Sequence, residues 1–256
     1  MTIIGSSAGF PTEKRPNTTA VGLWRGDALY LLDAGGGVAA HFARSRISPD
    51  ALRAIFISHM HADHMAGLPL LVQWLQLNKR KRPLVVGLPS EGAEGLRNLL
   101  SMCYLLPEWL GFDLELLEVE EGPGYEEEGL AVEAIPNRHL EGFAERLREA
   151  GDPRPGESFS YAVEAEGKRI LFSADLGYAW EVPERVRGAD LAIVELAHFT
   201  PEELGEALRG LSLPRLLVTH LIHTLEPVEE EIPARIKGAG YEGEVLVARD
   251  GLELEV

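Results

Sequence analysis

Three histidines and an aspartate crowd one hexapeptide, His59-Met60-His61-Ala62-Asp63-His64. A pattern H-x-H-x-D-H arises by chance in roughly 3 of 10,000 such chains, so a plain polar loop is the weaker reading. Neutral imidazole and carboxylate are the usual non-thiol ligands of zinc. The preceding Arg53–Ile57 is a compact apolar run that predicts a strand. Ala62–Leu77, with Met65, Leu68, Leu71, Val72 and Leu75 at three- and four-residue spacing, predicts a helix. A strand end entering a helix points successive side chains in different directions. His59 and His61 can then reach one ion while Asp63 and His64 reach a neighbour.

A second set of ligand-type residues stands where other apolar runs end. His139 follows Leu130–Pro136, Asp175 follows Arg169–Ala174, and His220 follows Leu216–Thr219. Singly each reads as a capping or solvent-facing residue; beside the hexapeptide they read as further ligands. Aspartate has two oxygens, so Asp175 can bridge two cations. His223 is the alternative to His220, and His41 has no assigned role.

The rest of the chain predicts alternating elements. Strands are expected at Thr2–Gly5, Thr19–Trp24, Ala28–Asp33, Leu84–Gly87, Phe112–Val119, Leu191–Glu195, Glu244–Ala248 and Leu252–Val256. A hairpin is expected at Phe159–Ala174 around Glu166-Gly167-Lys168. Helices are expected at Val38–Ser45, Ser90–Leu105, Leu140–Ala150, Pro201–Gly210 and Pro227–Gly238. The acidic segment Glu120–Gly129 around Gly-Pro-Gly reads as a boundary loop between two similar halves, about 1–122 and 123–256, of a single domain. Such mixing predicts an α/β fold with two mixed sheets face to face and helices outside.

Formal charge is −17. It repels phosphate backbones and anionic lipid at long range, which argues against nucleic acid and membrane partners and for a small-molecule substrate. The only cysteine is Cys103, so no intrachain disulfide is expected. No signal-peptide pattern opens the chain, and the expected compartment is the cytoplasm. A homodimer is the default assembly.

The ligand order resembles that of the metallo-β-lactamase superfamily over almost the whole chain: H-x-H-x-D-H, a lone His, an Asp after a strand, a final His. The resemblance implies a four-layered αββα sandwich and a dinuclear centre. His59, His61 and His139 would hold one metal, Asp63, His64 and His220 the other, and Asp175 would bridge. Zinc suits this donor set, with manganese or iron as alternatives. Gly5-Ser6-Ser7-Ala8-Gly9-Phe10-Pro11, Asn17-Thr18-Thr19 and Leu32-Asp33-Ala34-Gly35 resemble the ribonuclease Z-like branch, which includes tRNA 3′-processing endonucleases and small-molecule phosphodiesterases. Glu195-Leu196-Ala197-His198 lies where ribonuclease Z enzymes carry His-Glu-Ala-Thr, but Val194 replaces that His. His198 resembles a histidine of the cyclic-phosphate phosphodiesterase of phosphonate breakdown. The 35 residues between His139 and Asp175 hold no Gly-Pro-rich arm for gripping tRNA, and Leu221-Ile222 stands where a tyrosine or arginine is usual.

Chemistry then suggests a metal-bound hydroxide as nucleophile, oriented by Asp63, which also takes a proton. His198 is the candidate general acid. Glu195 is read as fixing the tautomer of a ligand histidine or as a helix-entry carboxylate, and Asp33 as support for the ligands beside a Gly-rich turn at Gly35-Gly36-Gly37. The expected function is hydrolysis of a small or cyclic phosphodiester. Carboxylic ester, thioester or lactone hydrolysis is the alternative, with tRNA 3′ processing behind it. Asn78–Arg82 reads as a solvated helix end rather than a phosphate contact, and Trp74 and Trp109 as core.

Overall fold

The computed structural model describes all 256 residues. They form two compact units, Met1–Val119 with Arg249–Glu255, and Glu120–Ala248 with Val256. Each unit holds one mixed sheet flanked by its own helices. No helix is long and apolar enough to cross a membrane.

In the first unit, six strands stand in chain order: β1 (Thr2–Gly5), β2 (Ala20–Arg25), β3 (Ala28–Leu32), β4 (Leu52–Phe56), β5 (Leu84–Pro89) and β6 (Leu114–Val119). β1 to β3 are antiparallel, and β3 to β6 run parallel. The helices are α1 (Val38–Ser45), α2 (Ala62–Met65), α3 (Leu68–Leu77), α4 (Ser90–Met102) and the short α5 (Pro107–Leu110). Leu29, Leu31, Ile55 and Val86 of the sheet pack with Val38 and Phe42 of α1, Leu71 and Leu75 of α3, and Leu96 and Leu100 of α4. Every residue of β3 and β4 is buried, which is why β3 reads as an unbroken apolar run and β4 as one interrupted only by Arg53.

The single helix expected over Ala62–Leu77 is two helices, broken at Gly67. Pro69 lies in the first turn of α3, and its missing N–H prevents a continuous ladder. The break also seats the chain after the hexapeptide. The Gly67 amide donates to Ala34 O at 2.9 Å, and a Cβ at Gly67 would lie 2.1 Å from Gly35 O and 2.8 Å from Val38 Cγ1. Gly67→Ala must therefore push two backbone segments apart. It is expected to destabilise the protein by about 3 kcal/mol, the upper part of the overpacking range. Urea denaturation checks this, and an unchanged midpoint would contradict the close approach.

The basic run is not simply solvated. Lys79, Lys81 and Arg82 are exposed, but Arg80 is buried. Its guanidinium donates to the carbonyls of Pro49 and Pro83 and lies 5.5 Å over the Phe112 ring, while Asp50 accepts the Lys81 and Arg82 amides. Burial lowers the Arg80 pKa to about 10, with Asp50 pulling the other way. Trp74 packs edge-on to Phe42 at 5.7 Å, as core packing requires, whereas Trp109 is exposed.

The second unit contains β7 (Gly122–Glu127), β8 (Leu130–Pro136), β9 (Phe159–Ala165), β10 (Lys168–Phe172), β11 (Leu191–Leu196), β12 (Arg215–Leu221) and β13 (Glu244–Val247). The sheet order is β13-β12-β11-β10-β9-β8-β7, antiparallel from β7 to β10 and parallel from β10 to β13. Its helices are α6 (Glu141–Glu149), α7 (Val182–Arg185), α8 (Pro201–Ala207) and α9 (Ile232–Gly238). Leu171, Ala192, Val194, Leu216 and Val218 pack with Leu204 and Leu208 at α8 and Ile232 and Ile236 of α9.

Two expectations fail here for clear reasons. The Gly-Pro-Gly stretch read as a loop is the strand β7, which is possible because β7 is an edge strand, where proline is tolerated, and its pairing is irregular between Pro123 and Tyr125. Leu252–Val256 does not complete the second sheet. Leu252–Leu254 instead run along β1 within the first unit, with the Ile3 amide on Leu252 O at 2.8 Å and a bridge between Thr2 and Glu253.

Candidate metal centre

In the first unit the hexapeptide leaves the carboxyl end of β4. Its His59 and His64 are buried, and their rings lie 4.1 Å apart; His59 and His61 are 4.6 Å apart. Asp33, fully buried at the end of β3, organises them. It accepts the Ser58 amide at 2.7 Å, the Ser58 hydroxyl at 2.9 Å and His64 Nδ1 at 2.7 Å. Ser58 Oγ has then given its proton to Asp33, so it accepts from His59 Nδ1 at 3.0 Å. One carboxylate thus puts the proton of both rings on Nδ1 and leaves both Nε2 atoms as lone-pair donors. Burial pushes the Asp33 carboxyl up, against the lowering pull of His64 and of the Ser58 amide and hydroxyl.

Asp63 has a different anchor. Its Oδ2 accepts the Gly9 amide at 2.8 Å and lies 3.6 Å from His64 Nε2. The Gly5–Pro11 loop therefore reaches this carboxylate directly, a role that nothing in its residue types announces. Gly35 completes the packing, since a Cβ there would lie 2.2 Å from Asp63 O. The Gly-rich turn is a close approach of backbone to the hexapeptide.

In the second unit Asp175 is the focus. Its Oδ2 lies 3.2 Å from His220 Nε2 and 3.7 Å from His139 Nε2, with all three side chains nearly buried. His139 follows β8 through a turn in which its amide donates to Asn137 Oδ1 at 3.1 Å. His220 does not follow β12 as expected; it lies within it. Glu195 pairs with Thr219 and Leu196 with Leu221, so His220 is the extra residue of a bulge that re-aims its ring. His223 is exposed, whereas His220 meets Asp175.

Backbone strain concentrates at these positions. Asp33, Ala174 and His220 have φ of 61°, 51° and 50°, in the left-handed region that non-glycine residues avoid. The other non-glycine residues of this kind, Arg46, Lys79, Tyr104, Glu128 and Glu166, sit in turns or at helix ends. The first three instead stand at or beside ligand-type side chains.

Glu195 does not fix a ligand histidine; it fixes His198. Its buried carboxylate accepts the amides of Leu176, Ala197 and His198 and takes His198 Nδ1 at 2.9 Å. The His198 side chain is 36% exposed, and its ring lies 4.7 Å from that of His139 and 6.4 Å from that of His220. Nδ1 is thereby committed, and Nε2 is the atom that can exchange a proton. His41 is half-buried near Ser45, and Cys103 is exposed. Sequence reasoning missed Ser58 and Gly9. Ser58 was detectable only as a hydroxyl preceding His59, and Gly9 acts through its backbone.

Comparison with known proteins gives a consistent picture. The family described as Beta-lactamase superfamily domain matches residues 29–221. Ribonuclease Z of Methanosarcina acetivorans is 28% identical, over 100% of this chain and 97% of that protein. The metallo-beta-lactamase fold protein YhfI from Bacillus subtilis superposes with a TM-score of 0.73 at 20% identity, covering 98% of this chain and 96% of that one. A diphosphatase from the PhnP family superposes with a TM-score of 0.73 at 19% identity, covering 100% of this chain and 96% of that one. These superpositions establish the fold.

Proposed function

The chain belongs to the beta-lactamase superfamily and is a metal-dependent hydrolase, and from that premise we propose that it cleaves small or cyclic phosphodiesters. The residues that would hold two divalent metal ions, with zinc favoured, are His59, His61, Asp63, His64, His139, Asp175 and His220. The donor chemistry fits: every one offers an imidazole nitrogen or carboxylate oxygen, and the hydrogen bonds to Asp33 and Ser58 turn the metal-binding lone pairs to Nε2 of His59 and His64. Bound divalent ions supply Lewis acidity and an acidified water.

The protein's own groups supply the proton transfers. Asp63, held by the Gly9 amide, orients the attacking water and takes its proton. The water oxygen bonds to phosphorus, the P–O bond to the leaving group breaks, and protonated His198 gives that oxygen its Nε2 proton. The observation that carries the phosphodiester reading is the Glu195–His198 pair at 2.9 Å. Such a fixed proton donor suits a poor alkoxide leaving group. Two similar proteins, a ribonuclease Z and a diphosphatase, are named for phosphorus-centred hydrolysis, which supports the reading.

The ribonuclease Z relative favours a second reading, cleavage of RNA. Against it stand the charge of −17 and the stretch from His139 to Asp175, which α6, β9 and β10 occupy without an inserted arm. Zinc- or manganese-loaded protein assayed on bis(4-nitrophenyl) phosphate, 4-nitrophenyl acetate, a homoserine lactone and a precursor tRNA separates the readings. Turnover of the diester without the acyl substrates is expected. Acyl turnover alone, or cleavage of the tRNA alone, would overturn the assignment.

Asp33→Asn tests the tautomer argument. Asparagine tolerates φ of 61° and keeps the shape, but its amide N–H₂ opposes the donors on Ser58 and His64. Zinc affinity, measured by competition with a chromogenic chelator, is expected to fall about 10–100-fold, the usual cost of losing a ligand's outer partner. Unchanged affinity would rule out Asp33 as the group that orients these rings.

A further inference from the structure

The segment after Asp175 carries two large aromatic side chains that stand exposed. Tyr178 is 48% and Trp180 59% exposed. Their rings lie nearly parallel, 16° apart, with centroids 5.4 Å apart. The Arg138 guanidinium sits 5.2 Å over the Trp180 ring. Isolated exposed aromatics need no explanation, but a stack of two does.

The stack is held in place. Glu181 is buried, and its carboxylate accepts the amides of Gly177 and Tyr178 on one oxygen and of Arg138 on the other, beside the Arg185 guanidinium. This clamps both the loop and the residue that covers Trp180. A buried carboxylate serving three amides gives the aromatics a fixed position without burying them.

The pair lines a cavity of about 420 Å³ whose wall also includes His198, Phe199, Glu203 and Glu206. The proposed proton donor to the leaving group therefore opens onto the same space as the aromatic pair. The acidic wall disfavours a phosphate inside the cavity and favours a group with hydrogen-bond donors. The rings are stacked on one another and so offer a flat outer ring face rather than the several facing rings that enclose a quaternary ammonium ion. A planar group fits that surface.

We infer that this cavity is a subsite for a nucleobase, stacked against the Tyr178–Trp180 pair with its exocyclic amine toward Glu203 and Glu206, so that the substrate is a nucleoside phosphodiester with the nucleoside on the leaving side. The inference rests on the phosphodiester reading for its chemistry and on the cavity alone for its ligand. The reaction remains hydrolysis: water oxygen bonds to phosphorus, the P–O bond to the nucleoside breaks, and the nucleoside oxygen gains the proton.

The test is saturation-transfer NMR with adenosine, ribose and choline, on the protein and on the Tyr178→Ala, Trp180→Ala and Tyr178→Phe variants. Melting curves establish that each variant is folded. Adenosine base protons are expected to receive saturation while ribose does not. Affinity is expected to fall about tenfold or more in the alanine variants, the size of one base–aromatic stack, and to be kept in Tyr178→Phe. In parallel, the kcat/KM preference for adenosine 2′,3′-cyclic phosphate over glycerol 1,2-cyclic phosphate is expected to fall at least about tenfold in Tyr178→Ala. No transfer to adenosine, or equal transfer in the alanine variants, overturns the subsite. Choline transfer that depends on Tyr178 while adenosine transfer does not overturns it in favour of a cation site. If no phosphodiester is hydrolysed but adenosine binding still depends on Tyr178, the phosphodiester reading falls and the base site stands.

Discussion

His61→Ala is expected to lower kcat/KM on bis(4-nitrophenyl) phosphate by more than about a hundredfold, because loss of an outer partner alone costs about 10–100-fold and a ligand must exceed that. The fold is expected to survive. His61 is only partly buried, and its ring contacts His59 rather than the apolar core of the first unit. Bound metal, measured by plasma mass spectrometry after dialysis, is expected to drop from two equivalents toward one or none. Loss of activity with full metal content would show that His61 acts on substrate instead. Full activity would remove the hexapeptide from the centre altogether. The variant is thus informative even though several histidines lie close together.

His198→Ala is expected to separate substrates by leaving group. A nitrophenolate leaves without protonation; an alkoxide does not. Turnover of an alkyl diester is expected to fall about 10²–10⁴-fold, the usual contribution of a general acid, with a much smaller loss on the nitrophenyl diester. Glu195→Gln is expected to shift the same way but less, since it keeps a partner at His198 Nδ1 while removing the charge that supports the imidazolium. Plots of log kcat against leaving-group pKa for the three proteins measure this. A parallel fall on both substrate types would assign His198 to binding or structure.

The fold was largely legible because its elements are local. β3 and β4 are short buried runs, apolar but for Arg53, and the Phe159–Phe172 hairpin turns at Glu166-Gly167, both in the left-handed conformation that such a turn requires. Where reading failed, context outside the segment decided. Pro123 signals a loop unless its strand is at a sheet edge, and β7 is. Arg80 reads as solvated until the carbonyls of Pro49 and Pro83 are brought to it. The last residues read as one more strand of the second sheet, but their partners are at the opposite end of the chain, along β1.

For the candidate site the division is sharper. Residue type and spacing alone determined which side chains have metal-ligand chemistry, because a hexapeptide on a strand-to-helix turn cannot scatter its histidines far. Tertiary structure decided how those side chains are aimed. Asp33 and Ser58 set the tautomers of His59 and His64 through hydrogen bonds, the first of which links residues 31 positions apart. A bulge against β11 turns His220 toward Asp175, and a buried Glu195 claims His198. Orientation of a ring is a property of its neighbours in space, and those neighbours leave no periodic trace in the sequence around it.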